Sequence, residues 1–135
     1  MKILNEDIII DTNSSVELIN ITGNVNEIVR SNEIQNGLVN ISTKHTTSGI
    51  IINEDEIGLK KDILNLLENI IPHDNYLHDR IDNNARSHLK SIILTPNQTI
   101  PIIDGKISLG TWQSIFFLEL DGPRKRRNVK ITVIY

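Results

Sequence analysis

The sequence predicts an α+β fold in which a mixed, largely antiparallel sheet packs against helices. Three observations carry that prediction. Short apolar or alternating runs of strand length recur towards both ends of the chain, one strongly amphipathic helix lies between them, and the order is not the βαβ alternation of a parallel sheet. Heavy use of isoleucine adds a bias towards strands. A chain of 135 residues is expected to form a single domain, residues 1–135, with a core that needs no staples.

Asp7–Asp11 is a short apolar run between polar residues, and Val16–Ile21 partly alternates; both are expected strands. Thr22 opens a helix through about Ile34, with Val25, Ile28 and Val29 at helical spacing. Asn36-Gly37 marks a turn, Leu38–Thr43 alternates as a half-buried strand does, and Gly49–Ile52 is expected to be buried on both faces. The clearest helix runs from about Asp55 to Ile71, with Leu59, Ile63, Leu66, Leu67 and Ile70 in one stripe, and Pro72 stops it. His73–Ser87 is polar and is expected to be a loop with a short helix near Asn83. Strands are expected again at Leu89–Leu94, Ile100–Ile103, Gln113–Leu120 and Val129–Tyr135, with a turn at Asp104-Gly105.

Composition narrows the chemistry. Cysteine is absent, so disulfides, thiolate catalysis and Cys-based metal sites are excluded. The net charge of −3 offers no global attraction for nucleic acid or an anionic membrane. No apolar run reaches the length of a membrane span, and Glu6-Asp7 interrupts any apolar leader, so a cytoplasmic location is expected.

Three constellations remain. His45, His78 and His88 sit in polar, turn-rich surroundings, and Asn84 and His88, four apart, would share a helix face. Their spacing fits no established ligand motif, and on pattern alone solvated or hydrogen-bonded structural histidines are the plainer explanation. The only tryptophan lies in Leu109-Gly110-Thr111-Trp112-Gln113, where a flat ring and an amide suit a planar ligand, or where the ring enters the core. Asp121-Gly122-Pro123-Arg124 holds an arginine after a turn, suited to phosphate, although a short basic run is also an ordinary solvated face. By strand alternation Arg124 and Arg126 would share a face. Among the acids of Asn53–Glu56, Asp55 and Glu56 are explained by capping the helix. Glu54 is not, and a chain folding back there would bring it to the histidines as ligand or general base.

Together these pieces resemble the YjbQ-like family, small proteins described as secondary thiamine-phosphate synthases. The likeness rests on His45-Thr46-Thr47-Ser48-Gly49, Asn53-Glu54, His78, Asn84-Ala85 with His88-Leu89, Leu109–Gln113, and Asp121–Arg124 with Arg126. Thr95-Pro96 departs from it, and Ser48-Gly49 replaces a small, Ala-rich pair. The resemblance implies a homotrimer with its motif residues in a cleft near the subunit boundary. It also implies coupling of hydroxymethylpyrimidine diphosphate to thiazole phosphate with release of diphosphate. On that basis Glu54, His45 and Arg124 are the expected catalytic residues, and Asn84, Trp112, Gln113, Arg124 and Arg126 the expected substrate ligands. A divalent ion is expected on His45, His78 and His88, zinc in the isolated protein or magnesium with substrate, while His73 lies outside the motifs. Imidazole clusters suit hydrolysis equally well, so a metal-dependent hydrolase of a small phosphorylated or amide substrate is one alternative. A non-catalytic, anion-binding trimer is the other.

Overall fold

A computed structural model describes all residues, Met1–Tyr135. Two antiparallel sheets enclose the main core. The first has strand order β1(Ile3–Ile10), β8(Arg127–Ile134), β3(Gly37–Thr43), β5(Asn97–Ile103), β6(Lys106–Ile107). The second has order β2(Glu17–Asn20), β7(Ser114–Glu119), β4(Ser48–Asn53). Every ladder is antiparallel, so the fold is α+β as expected and carries no parallel pair.

Alternation builds the core. Ile8 and Ile10 of β1, Val39 and Ile41 of β3, Ile100 and Ile102 of β5, and Val129, Ile131 and Val133 of β8 point inward. They meet Val25, Ile28 and Val29 of α1(Thr22–Ser31) and Ile50, Ile115 and Phe117 of the second sheet. The other face of that sheet packs Phe116, Leu118 and Leu120 against Leu67 of α2(Ile57–Ile70). Strand β7 is therefore covered on both sides, which is why its sequence reads as a continuous apolar run. The β5–β6 hairpin turns at Asp104 (φ 49°) and Gly105 (φ 80°), where two consecutive left-handed residues match strand twist. No helix is long and apolar enough to cross a membrane.

Several expectations need correction. Leu89–Leu94 is not a strand; Ala85–Ile93 forms α3. Its isoleucines suggest β structure, but Ala85 and Lys90 are buried within the helix, and Asp79 Oδ1 accepts from Ala85 N–H (2.9 Å) to satisfy the first turn. That partner lies in the 3₁₀ turn Leu77–Arg80, where no helix-start pattern would seek it. Helix α1 stops at Ser31 because Glu33 turns left-handed (φ 55°), rather than running to Ile34. Thr22 does not cap it: its Oγ1 accepts from Ile115 N–H (2.8 Å) and ties the helix to β7. In α2, Glu56 is the cap, accepting from Gly58 and Leu59 N–H.

Candidate functional site

One end of the second sheet carries a loop that only its sequence permits. After β7 the chain turns through Gly122, where a Cβ would lie 2.1 Å from Ser14 O, so no larger residue fits. Gly122 N–H donates to Ser15 O (2.9 Å), Arg124 N–H to Thr12 Oγ1 (2.8 Å) and Arg126 N–H to Asp11 Oδ1 (2.8 Å). Residues Asp11–Ser15 thus clamp the loop along its length.

Beneath it lies a buried ion pair. Glu119 is wholly buried, and Arg127 donates to both its oxygens from Nε (3.0 and 3.1 Å) and from Nη2 to Oε2 (2.6 Å). Thr12 Oγ1 donates to Glu119 Oε1 (2.8 Å), and Thr47 Oγ1 accepts from Arg127 Nη2 (2.9 Å). The pair joins the loop after β7 to the His45 turn, and no buried side-chain polar atom of the protein lacks a partner. Neither residue is among the site residues expected from the sequence. The signal available was a single charge inside the apolar run Ile115–Leu120.

Above the pair, side chains from three elements form one hydrogen-bonded series. Arg124 donates from Nη2 to Asp121 Oδ2 (2.8 Å) and from Nε to Asp121 O (2.9 Å). Asn84 Nδ2 donates to the same Asp121 oxygen (2.9 Å), and Asn84 Oδ1 pairs with His78 Nε2 (2.9 Å). As Oδ1 has no proton to give, His78 Nε2 carries it. The His88 ring meets the His78 ring edge to face, with centroids 4.7 Å apart. Two clefts flank this series. One, of about 430 Å³, is lined by Asp79, Asn84, Asp121, Arg86 and Lys90; the other, of about 580 Å³, by Lys44, His45, His88 and Ser91.

His45 sits at the base of the second cleft, its Nε2 accepting Asn128 N–H (2.9 Å). Burial chiefly, then the charge of Arg127, hold its pKa below the ordinary histidine value, while Glu119 opposes them in part. His45 therefore stays neutral at pH 7, with its proton on Nδ1.

The expected site residues divide into two groups. His45, His78, Asn84, His88 and Arg124 gather at one end of the second sheet. Glu54, Trp112 and Gln113 lie at the other, because β4 and β7 pair from Ser48↔Glu119 to Asn53↔Ser114. Glu54 thus does not approach the histidines within one chain: β4 runs straight rather than folding back. Trp112 is 72% exposed and is not a core residue. Its neighbour Gln113 accepts from Gly110 N–H through Oε1 (2.8 Å) and closes the turn that presents it. Arg126 is left-handed (φ 58°) and precedes β8, so strand alternation does not align it with Arg124.

The donor set does not fit a resident metal in one chain. No three His, Asp or Glu side chains stand where they could hold an ion together. The Nε2 lone pair of His45 is taken by Asn128 N–H, and His78 and His88 alone form a pair.

An α+β protein of two antiparallel sheets, with a His-Asn-Asp-Arg series between two polar clefts, is the class these observations define. The chain belongs to the UPF0047, YjbQ-like family, whose model matches residues 6–135. It is 47% identical to a UPF0047 protein of Methanothermobacter thermautotrophicus over 134 residues, 98% of this chain and 93% of that one. It is 36% identical to the UPF0047 protein YugU of Bacillus subtilis, covering 87% of this chain and 89% of YugU. Among solved structures, a YbjQ-like protein of unknown function from Sulfolobus solfataricus P2 is similar with a TM-score of 0.94 and 38% identity, over 98% of this chain and 96% of that one.

Proposed function

We propose that this protein is a homotrimeric thiamine-phosphate synthase that joins a pyrimidine-methyl diphosphate to a thiazole phosphate. The observation that supports the reading is the series His78–Asn84–Asp121–Arg124, which holds a half-exposed guanidinium beside oriented amide and imidazole groups. In the reaction the C–O bond to diphosphate breaks, the electron pair leaves with diphosphate, and the thiazole nitrogen lone pair forms the new C–N bond. No proton is needed at carbon, so catalysis is stabilisation of the departing charge and alignment of two rings. Asp121 occupies Arg124 Nε and one Nη2 hydrogen, which fixes the fork and leaves its outer edge for the anion. His78 Nε2–H bonds Asn84, so its role is to orient that amide, while His45 and His88 line the neighbouring cleft. Magnesium brought by the diphosphate would add charge neutralisation as part of the substrate.

The test is direct coupling. Purified protein supplied with hydroxymethylpyrimidine diphosphate and thiazole phosphate is expected to release thiamine phosphate and diphosphate in equal amounts. Arg124→Ala is expected to lower diphosphate affinity by roughly 10- to 150-fold, the equivalent of about 1.5–3 kcal/mol for a charge-assisted contact. Phosphate release without coupling identifies a hydrolase, and saturable binding without turnover identifies an anion-binding protein; either outcome overturns the synthase reading.

A further inference from the structure

The ion cluster at the end of α2 uses side chains that the reaction described above leaves idle. Lys90 of α3 is only 5% exposed, yet it lines the cleft of about 430 Å³. Its one protein acceptor is Glu68 Oε2 (3.0 Å), so two of its three ammonium hydrogens have none. Arg86, one helical turn earlier, places Nη2 2.8 Å from Glu68 Oε1. Its fork does not depend on that carboxylate. Nε (3.0 Å) and Nη2 (2.6 Å) both donate to Ile71 O, and Nη2 donates also to Glu68 O (3.2 Å). Main-chain carbonyls at the end of α2 therefore hold the guanidinium in place.

Two cations fixed on the wall of a cleft thus converge on the width of one carboxylate. Glu68 is the replaceable member. Its side chain is half exposed, and it lies in the last turn of α2, where the helix dipole disfavours negative charge. An ion pair of that exposure is a weak competitor, because water solvates the carboxylate equally well. Burial makes the opposite true of Lys90: an ammonium removed from water needs an anion against it, whichever anion that is. A phosphoryl group meets the same two donors with two of its oxygens and has a third for the idle ammonium hydrogens.

Other groups in the cleft define what the phosphoryl group is attached to. Asp79 and Asp121 line it, and Asp79 Oδ2 and Asp121 Oδ1 accept no hydrogen bond. A second anionic group is repelled there and a cationic one attracted. We infer that Arg86 and Lys90 form an anion seat separate from Arg124, held by Glu68 in the free protein and taken over by a phosphomonoester whose other end is cationic. This deepens the synthase reading, whose two substrates are both phosphorylated and whose product joins a phosphate to a thiazolium ion. Glu68 turning out into water is the only movement the exchange requires.

Inorganic phosphate titrated into the isotope-labelled chain at neutral pH tests the seat by NMR. The backbone amide signals of positions 86 and 90 are expected to shift saturably, and the Glu68 carboxyl carbon with them as it leaves the two cations. Glu68→Gln removes the internal competitor, so half-saturation is expected at roughly fivefold less phosphate. Lys90→Met keeps the bulk of the side chain and leaves Glu68 free to face water, so the chain still folds; it is expected to need at least roughly tenfold more phosphate. Arg124→Ala is expected to leave the Glu68 response in place. Thiamine phosphate, with its cationic ring, is expected to half-saturate at a lower concentration than ethyl phosphate, which has none. Amides indifferent to phosphate, no tightening in Glu68→Gln or unchanged affinity in Lys90→Met overturns the seat. So does loss of the Glu68 response in Arg124→Ala, or ethyl phosphate binding as well as thiamine phosphate. The expected responses without any coupling of pyrimidine diphosphate to thiazole phosphate leave the seat standing and remove only the synthase reaction.

Discussion

Replacing Arg127 by methionine tests whether the buried pair supports the loop that carries Arg124. Methionine keeps much of the volume but leaves Glu119, wholly buried, with its negative charge uncompensated. Removing one member of a buried pair costs about 3–5 kcal/mol. Here Thr12 Oγ1 (2.8 Å) and Leu120 N–H (3.2 Å) still donate to the carboxylate, so the lower end, about 3 kcal/mol, is expected. Against a total stability of roughly 5–15 kcal/mol this is a large fraction. The double variant Glu119→Leu with Arg127→Met removes both charges. It takes one partner from each of the Thr12 and Thr47 hydroxyls, a cost of about 1 kcal/mol each, while Arg124 N–H still donates to Thr12 and Leu120 N–H keeps Thr47 O. Urea unfolding followed by far-UV circular dichroism, with unchanged slopes, gives the cycle: the double variant is expected to be more stable than Arg127→Met alone. The same Arg127→Met chain is expected to show His45 titrating closer to its ordinary value by NMR, because one charge holding it down is gone. A loss below about 1 kcal/mol in the single variant, or strictly additive losses, would refute the reasoning.

Four further outcomes are expected. Hydrogen bonds from Lys90, then Arg86, hold the Glu68 carboxyl at about 2, so its contribution is present above the unfolded value near 4.5 and is lost as pH falls towards 2. Thermal melts from pH 5 to pH 2 are expected to fall more steeply for wild type than for Glu68→Gln, by no more than about 1 kcal/mol given the half-exposed side chain. Gly122→Ala drives a Cβ into Ser14 O and is expected to lose about 1–3 kcal/mol in urea, together with Arg124-dependent diphosphate binding. Gly23→Ala, with nothing within 4 Å, is expected to be neutral or to gain up to about 1 kcal/mol. Elemental analysis is expected to find no stoichiometric zinc, since His45 would have to surrender the Asn128 N–H; one zinc per chain, lost in His88→Ala, would show that the three histidines regroup.

What was legible in the sequence was whatever neighbouring residues decide among themselves. Alternation in Leu38–Thr43, the stripe and acidic start of the helix ended by Pro72, and the turn at Asp104-Gly105 are local, and each became the element its pattern implied. The ordered motifs named His45, His78, Asn84, His88 and Arg124 together with Glu54, Trp112, Gln113 and Arg126, and within one chain only the first five lie at the same end of the second sheet. Tertiary structure decided the rest. Residues Leu89–Ile93 became helical because Asp79, Glu68 and Gly49 lie where α3 needs a cap, a countercharge and close approach, the last because a Cβ at position 49 would lie only 2.8 Å from Leu94 Cβ. Glu119 and Arg127 are partners because β7 and β8 belong to sheets that face each other, a fact absent from either segment alone. Glu54 and Trp112 parted from the histidines for the same reason. Motif order along a chain carries no direction in space, and an antiparallel strand delivers its two ends to opposite edges of the sheet.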